Sequence, residues 1–138
     1  MKVLIAEDDS ISRNVLQGLL SKWGYDVTVT LDGNQAWDAL QQKDAPRLVV
    51  LDWLMPGMDG VEICKKVRSL ASSVYTYIIL LTMKSDPESV VEGLDAGADD
   101  YMVKPYRMEE LRSRLRAGKR ILELQETLIN KGKRTKKA

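Results

Sequence analysis

The sequence of 138 residues contains no histidine, a single cysteine and no long apolar run. The lack of histidine excludes the usual general base, the commonest metal ligand and any Ser-His-Asp triad. One cysteine cannot form an internal disulfide. Helical spacing indicates that Cys64 is buried on the same face as three apolar residues, Val61, Val67 and Leu70. Without a stretch long enough for a membrane span or a signal-peptide core, we expect a cytoplasmic protein that does not enter the membrane.

A strong net charge is also missing, because 21 basic residues face 20 acidic ones. Five of the basic residues lie within the last eight positions, which leaves residues 1–130 mildly acidic. A near-neutral total gives no support for a surface that coats nucleic acid, and no helix-turn-helix follows the last predicted helix. We expect no direct nucleic-acid contact. The basic tail is interpreted first as a solvated end, with a linker or a weak polyanion contact as alternatives.

Short apolar segments alternate with longer segments of helical period, which is typical of βα units that feed a parallel sheet. Strands are predicted at residues 2–7, 26–30, 47–52, 77–82 and 98–104. Helices are predicted at 10–23, from 36 to before Pro46, at 59–70, and from 86 and 108 onward. The alternating second strand belongs at an edge, and the apolar third belongs in the centre. The prediction is an α/β fold whose five-stranded, doubly wound parallel sheet has the order 2-1-3-4-5, with helices on both faces.

Two helices carry apolar stripes with specific expectations. In the first helix the spacing predicts one buried stripe, formed by Ile11, Val15, Leu19 and Trp23. The last helix places Leu111 and Leu115 on the sheet, and apolar residues continue beyond any length that the domain needs, at Ile121, Leu122, Leu124, Leu128 and Ile129. Gly118 interrupts this extension at a cost of ~1 kcal/mol relative to alanine.

We therefore divide the chain into a domain at residues 1–118 and a helical extension with a basic tail at residues 119–138. An isolated extension of this kind would be marginally stable in water. It either pairs with a second copy, leads into an output domain that this chain lacks, or folds back on its own domain as a frayed end.

Polar residues stand where four of the predicted strands end. Glu7 and Asp8 follow the first strand, Asp52 ends the third, Thr82 ends the fourth and Lys104 ends the fifth. Parallel strands bring these groups to one edge of the sheet, where open α/β folds build their sites. Carboxylates this close repel each other, and in the absence of histidine and cysteine clusters a hard divalent cation such as Mg²⁺ is the natural remedy.

This set of residues also suits phosphoryl transfer. A carboxylate can act as a nucleophile toward phosphorus, and the transferred group needs cations and donors on its oxygens. We therefore assign Asp52 as the phosphoacceptor, with Lys104 and Thr82 as ligands of the phosphoryl group. Taken singly, each residue has an ordinary structural explanation; the acidic triplet at residues 7–9, for example, is commonly only an N-terminal cap.

At this point the chain resembles the receiver domain of bacterial two-component response regulators. The resemblance covers residues 1 to about 118 and depends on four motifs in the family's order. They are Val3-Leu4-Ile5-Ala6-Glu7-Asp8, Leu51-Asp52-Trp53-Leu54-Met55-Pro56-Gly57-Met58-Asp59-Gly60, Leu80-Leu81-Thr82, and Gly97-Ala98-Asp99-Asp100-Tyr101 followed by Lys104-Pro105. As a set these motifs are highly specific. The implied fold is flavodoxin-like, with an extended last helix.

The resemblance implies that a histidine kinase phosphorylates Asp52 and that the domain signals rather than turning over an external substrate. It implies Mg²⁺ bound by Asp8, Asp52 and the main-chain carbonyl of Leu54, with Glu7 acting partly through water. Asp9 is a less favoured ligand, because the family's acidic pairs sit directly at the strand end.

The same resemblance implies a phosphorylation switch. Tyr101 and Thr82 are expected to change position and to reshape the face made by helix four, strand five and helix five. A homodimer through that face or through the last helix is a further expectation. The Lys104-Pro105 junction is expected to be a cis peptide.

Two departures bear on function. Leu54 stands two places after the phosphoacceptor, where some relatives have a polar residue. Met83 directly follows the threonine, where many relatives have a small residue. Crowding of the site by these two side chains predicts a comparatively long-lived phosphoryl group. Leu54 also occupies the position where a phosphohydrolase with an aspartyl-phosphate intermediate would have its proton shuttle. The alternatives kept open are such a hydrolase and an interaction module that is independent of phosphorylation.

Overall fold

The protein's computed structural model describes residues 1–72 and 74–137, the last five of them as backbone only. Strands and helices alternate along the whole chain. They are β1 Lys2–Ala6, α1 Ser10–Lys22, β2 Asp26–Thr30, α2 Gly33–Leu40, β3 Leu48–Asp52, α3 Gly60–Ser69, β4 Tyr77–Thr82, α4 Pro87–Asp95, β5 Asp100–Val103 and α5 Met108–Lys137. Four helices begin at an aspartate whose side chain accepts a hydrogen bond from the backbone N–H three residues on, namely Asp9, Asp32, Asp59 and Asp86.

The five strands form one parallel sheet in the order β2-β1-β3-β4-β5, which confirms the predicted topology. All residues of β4 are buried, whereas β2 alternates between exposed and half-buried positions, as expected for a strand at the edge. The register pairs Ala6 with Leu51 and Asp52 with Leu81. The residues that follow β1, end β3 and end β4 therefore emerge side by side at what is here called the carboxyl edge of the sheet.

Side chains alternate between the two faces of the sheet and form two apolar cores. One core packs against α2, α3 and α4 and contains Leu4, Val49, Leu51, Ile63, Cys64 and Leu80. The other packs against α1 and α5 and contains Val3, Ile5, Val50, Leu111 and Leu115. Burial of Cys64 confirms the prediction for that residue, although Leu70, which was grouped with it, ends α3 and is exposed.

The buried face of α1 differs from the predicted stripe. Ile11 and Val15 are 74% and 54% exposed, and the core positions are Leu16 and Leu20. Leu19 and Trp23 are only partly buried beside them. The buried face of α1 is therefore shifted by about one residue relative to the prediction, because Leu16 and Leu20 are the residues that pack against the sheet.

Gly118 serves a packing purpose that its sequence position concealed. The helix α5 runs through it without a break. A Cβ atom at Gly118 would lie 2.6 Å from Cδ1 of Tyr77 and 2.9 Å from Cδ1 of Leu48, so only glycine lets the helix approach the sheet this closely. Beyond it, Leu122 is buried on the domain. The division of the chain at residue 118 therefore remains a prediction from sequence, because the packing of α5 on the domain continues past this residue.

The side chains of the basic tail from residue 133 onward lie outside the described residues. Within the described ranges, no helix combines the length and the apolar character that a membrane crossing requires.

Candidate functional site

The carboxyl edge brings together the residues that the sequence singled out. Glu7 and Asp8 follow β1, Asp52 is the last residue of β3, and Thr82 is the last residue of β4. Lys104 follows β5, and its backbone N–H donates to the carbonyl oxygen of Thr82 at 2.8 Å. Because these four strands run parallel, their carboxyl ends bring four chain segments that are distant in sequence into one small volume.

One ammonium group lies between two carboxylates in this volume. The Nζ atom of Lys104 donates to Oε1 of Glu7 at 2.5 Å and lies 3.5 Å from Oδ2 of Asp52. The Glu7 side chain is 3% exposed and that of Asp52 is 13% exposed, so both charges are largely removed from water. A single lysine does not balance two buried carboxylates, and the nearby Asp8 adds further negative charge.

This imbalance shifts the acidity of the cluster. Burial, followed by the hydrogen bond with Glu7 and the negative charge of Glu7, raises the pKa of the Asp52 carboxyl from 3.8 to about 7. Burial lowers the pKa of Lys104, but the hydrogen bond with Glu7 and the charge of Asp52 outweigh burial and raise that pKa above its ordinary value. A carboxyl that resists ionisation beside a permanently charged lysine marks a site that lacks positive charge.

The geometry of the acidic cluster fits a divalent cation. One carboxylate oxygen each from Glu7, Asp8 and Asp52 can be chosen so that all three lie within 4.8 Å of one another. Oε2 of Glu7 is buried and has no hydrogen-bond partner, which is rare for a charged oxygen in a folded protein. A donor set made only of oxygen suits Mg²⁺. These residues therefore fit the metal that the resemblance implies.

Two other residues near the cluster, Asp9 and Leu54, have different surroundings. Asp9 caps α1, and its Oδ2 accepts from the backbone N–H of Ser12 at 2.8 Å, so this carboxylate is already engaged. The capping explanation for the acidic triplet thus applies to Asp9 and not to Glu7. Leu54 and Asp8 line the same open pocket.

The expected switch residues are linked through a residue that sequence reasoning missed, Lys84. Oγ1 of the fully buried Thr82 accepts from the backbone N–H of Lys84 at 3.2 Å. The hydroxyl of Tyr101 donates to the carbonyl oxygen of Lys84 at 2.8 Å, and the Lys84 ammonium lies 4.1 Å from the ring centroid of Trp53. Proximity to Thr82 and Asp52 in the sequence was the only signal that could have indicated Lys84 and Trp53.

The Tyr101 ring is half-buried between two elements. It meets the Trp53 ring edge-to-face, with centroids 6.3 Å apart and an interplanar angle of 87°. On the other side a Cβ atom at Gly93 of α4 would lie 3.0 Å from the Tyr101 ring. The ring therefore contacts the β3–α3 loop and α4 at once. The Lys104-Pro105 peptide is cis, as expected.

Sequence reasoning also missed Arg13, which supports the loop that carries the acidic pair. Its Nη1 atom donates to the carbonyl oxygens of Glu7 and Asp8, at 3.0 Å and 3.2 Å. By contrast, the two residues expected to crowd the site are 57% exposed at Leu54 and 77% exposed at Met83. Met83 lines a groove with Glu7 and Lys104, and Leu54 lines a pocket with Asp8, so both side chains border the site rather than fill it.

Comparison with known proteins gives a consistent result. The family described as response regulator receiver domain matches residues 3–116. The response regulator RppA of Synechocystis is 43% identical over 118 residues, which are 85% of this chain and 50% of that protein. The response regulator MprA of Mycolicibacterium vanbaalenii is 42% identical over 117 residues, which are 85% of this chain and 49% of that protein. The chain thus spans about half the length of the curated relatives it matches.

Solved structures agree with the sequence relatives. The receiver domain of the Francisella response regulator 1452 superposes with a TM-score of 0.79 at 34% identity, covering 87% of this chain and 98% of that one. The chemotaxis protein CheY4 of Vibrio cholerae superposes with a TM-score of 0.76 at 33% identity, covering 84% and 96%. Both similarities extend over nearly the whole of the other chain, so they compare complete folds.

Proposed function

The chain belongs to the response regulator receiver domain family, whose members act in two-component phosphorelay signalling, and from that premise we propose that it accepts a phosphoryl group on Asp52 from a histidine kinase. The observation that carries the assignment is the position of Asp52. It ends the central strand β3, and its Oδ2 atom lies 3.5 Å from Nζ of Lys104 beside the acidic cluster. No other carboxylate of the cluster combines partial exposure with a lysine contact.

In the proposed step a carboxylate oxygen of Asp52 attacks phosphorus, a P–O bond forms, and the P–N bond to the donor histidine breaks. The leaving imidazole takes up a proton. In this proposal Lys104 supplies a positive charge to the phosphoryl oxygens, and the Thr82 hydroxyl donates a hydrogen bond to one of them. Release is hydrolysis, in which water attacks phosphorus and the bond to Asp52 breaks.

We propose that Glu7, Asp8 and Asp52, with the carbonyl of Leu54, hold Mg²⁺, and that Glu7 acts partly through water. When bound, the ion supplies positive charge to the phosphoryl oxygens. The orphaned Oε2 of Glu7 and the raised pKa of Asp52 support this assignment, since both reflect a shortage of positive charge.

The proposed output is a change at Thr82 and Tyr101. A Thr82 hydroxyl that moves to donate to a phosphoryl oxygen would break the hydrogen bond that its Oγ1 now accepts from the backbone N–H of Lys84. The carbonyl oxygen of Lys84 also accepts a hydrogen bond from the Tyr101 hydroxyl, so a shift of this loop would release the ring and alter the face made by α4, β5 and α5. The partners that this proposal requires are a histidine kinase and a linked output domain.

The test is phosphorylation of the purified chain with acetyl phosphate, a small phosphoryl donor, in the presence and absence of Mg²⁺. We expect one hydroxylamine-sensitive adduct, located at Asp52 by mass spectrometry, and none in Asp52→Asn or in EDTA. Asp38→Asn is the matched control, because this exposed aspartate lies on α2 outside the cluster. Equal labelling of the parent chain and Asp52→Asn contradicts the proposal.

A slow loss of the phosphoryl group is a second part of the proposal. Met83 and Leu54 are both exposed, and they border the site beside Lys104 and Asp8 respectively. We expect Met83→Ala to shorten the half-life of the phosphorylated chain several-fold, measured as phosphate release after removal of the donor. Leu70→Ala, which changes another exposed apolar side chain at the opposite end of the sheet, serves as the control. Equal half-lives for Met83→Ala and the parent chain would remove this part.

Neither alternative gains an observation from the site. A phosphohydrolase needs an acid-base group two residues beyond the nucleophile, and Leu54 supplies none. A module independent of phosphorylation would not need the buried, unbalanced charges that Glu7 and Asp52 present.

A further inference from the structure

The loop between β1 and α1 consists of Glu7, Asp8 and Asp9, and it carries two of the three carboxylates of the cluster. Among the described residues, no backbone N–H donates to the carbonyl oxygens of Glu7 and Asp8. Instead, both oxygens accept from Nη1 of Arg13, at 3.0 Å and 3.2 Å. The backbone N–H of Arg13 donates to the carbonyl oxygen of Asp9 at 2.9 Å. One residue of α1 therefore hydrogen-bonds to the backbone of the whole loop.

The helix α1 holds Arg13 in place. This helix begins directly after its capping residue Asp9, and Leu16 and Leu20 pack it on the sheet. Arg13 itself is half-buried. Because a guanidinium is planar, it loses less side-chain freedom for each hydrogen bond that it forms than a lysine does. The loop is thus attached to a packed element by a side chain that suits a fixed contact.

Asp8 is the acid whose direction depends most on this contact. Glu7 and Asp52 both lie beside Nζ of Lys104, which restrains their carboxylates. Within the described ranges, the exposed carboxylate of Asp8 takes part in no hydrogen bond or ion pair. The two carbonyl oxygens that Arg13 binds belong to the peptide groups on either side of the Asp8 Cα atom. Since peptide groups are planar, holding both of them fixes the direction in which the Asp8 side chain leaves the backbone.

We propose that Arg13 is a positioning residue for Mg²⁺, which raises the affinity of the acidic cluster by fixing the direction of the Asp8 carboxylate before the ion binds. This inference rests on the metal assignment made under the proposed function and deepens it. Residues that orient metal ligands without contacting the ion contribute about 10–100-fold to metal affinity. The physical cause is that the loop is ordered in advance, so that binding does not have to order it.

The charge of Arg13 acts in the opposite direction. A guanidinium beside the acidic cluster repels another cation, so charge alone predicts tighter Mg²⁺ binding when Arg13 is replaced by a neutral residue. Positioning predicts weaker binding for the same replacement. The sign of the change in affinity therefore separates the two effects.

Mg²⁺ titration of the full chain tests the proposal, with tryptophan fluorescence as the readout, since Trp53 adjoins Asp52. We expect the dissociation constant for Mg²⁺ to rise at least ~tenfold in Arg13→Met. Arg13→Lys keeps a charged donor and should recover part of the loss. Arg107→Met is the matched control: it removes an exposed arginine between β5 and α5 that makes no hydrogen bond to the loop, and its dissociation constant should be unchanged or lower.

Two further measurements distinguish positioning from a general loss of structure. In EDTA, amide hydrogen exchange at residues 8 and 9 should be faster in Arg13→Met than in the parent, whereas exchange in β3 and β4 should be equal. Labelling of Asp52 by acetyl phosphate should need ~tenfold more Mg²⁺ for its half-maximal rate and should approach the parent's rate at saturating Mg²⁺. A lower maximal rate with unchanged Mg²⁺ dependence would indicate a structural role and contradict the inference.

An unchanged or lower dissociation constant in Arg13→Met overturns the inference alone, because the parent still binds Mg²⁺. A parent chain whose fluorescence does not respond to Mg²⁺ and whose labelling does not require it overturns the metal assignment, and this inference with it. Urea denaturation checks that the variants fold. If Arg13→Met does not fold, Arg13→Lys decides the matter, and a dissociation constant no higher than that of the parent then contradicts the inference.

Discussion

Two clusters of charged side chains lie at opposite ends of the same sheet and differ in how completely they are paired. At the amino edge of the sheet, where its strands begin, Arg68 donates to the carbonyl oxygens of Gly97 and Thr76 and to the carboxylate of Asp99. At the carboxyl edge, Glu7 and Asp52 share one lysine, and Oε2 of Glu7 has no partner. We call the first cluster closed, because Arg68 and Asp99 pair with each other; the second cluster lacks a partner for Oε2 of Glu7.

The closed cluster is saturated on its acidic side as well. Asp99 accepts from Arg68, from the backbone N–H of Ile78 and from the hydroxyl of Tyr75. The Arg68 guanidinium stacks on the Tyr75 ring, 4.5 Å from its centroid. Burial, and then the hydrogen bond to Asp99, raises the pKa of Tyr75 to about 12, so the hydroxyl keeps its proton. Full pairing of this kind indicates a structural role, and an incomplete set of partners indicates a site for ligands.

The largest expected effect comes from breaking the closed cluster. Arg68→Met removes the cation that pairs with the partly buried Asp99 and the donor to two carbonyl oxygens, so we expect the free energy of unfolding to fall by about 3 kcal/mol. Urea denaturation measures it. Arg114→Met is the control, because the Arg114 side chain is 40% exposed and its loss should cost far less. A similar small loss in both variants would mean that the amino edge is not structurally special.

Replacement of an aspartate by asparagine should change the free energy of unfolding in opposite directions at the two edges of the sheet. Asp52 has a folded-state pKa of about 7, well above 3.8, so between these values the folded chain keeps a proton that the unfolded chain has lost. The free energy of unfolding therefore falls as pH rises from about 4 to about 7. In EDTA at pH 8, Asp52→Asn should be more stable than the parent by about 2 kcal/mol, roughly half of what the full difference in pKa gives at 1.36 kcal/mol per pH unit, because solvent screens the partly exposed carboxylate; at pH 4 the difference should be almost nothing.

Asp99→Asn supplies the comparison for this experiment. It removes a charge that Arg68 requires, so it should destabilise the chain at pH 8, where Asp52→Asn stabilises it. Addition of Mg²⁺ should stabilise the parent and reduce the advantage of Asp52→Asn. Denaturation curves for the three proteins across this pH range decide the matter, and a constant difference between Asp52→Asn and the parent contradicts the linkage.

The smallest effect separates helix propensity from packing near the amino edge. Gly118→Ala gains about 1 kcal/mol of helix propensity but drives a Cβ into Tyr77, so we expect a net loss of about 1 kcal/mol. Gly18→Ala in α1 meets nothing within 4 Å and should gain up to about 1 kcal/mol. Mg²⁺ affinity should not change in either variant, since both positions are remote from the carboxyl edge. Thermal melts and Mg²⁺ titration check these outcomes, and stabilisation by both alanines would show that α5 can move away from the sheet.

Much of the fold and of the site was accessible from sequence because it depends on local patterns. Apolar runs such as Leu48-Val49-Val50-Leu51 identify buried parallel strands, and the polar residue after each run must emerge at the same edge. The proximity of Glu7, Asp52, Thr82 and Lys104 follows from that rule alone. The topology confirmed it because the strands are parallel and adjacent, whatever the loops between them do.

Tertiary structure decided what depends on distances between segments. The rotation of α1 that buries Leu16 and Leu20 instead of Ile11 and Val15 depends on the shape of the sheet beneath it. The need for glycine at position 118 depends on Tyr77, and the link through Lys84 depends on loops that no periodicity describes. The sequence by itself determined which residues meet at the carboxyl edge, since strand ends are set by local pattern. Only the folded packing determined which charges remain without partners, because pairing is a property of three-dimensional neighbours.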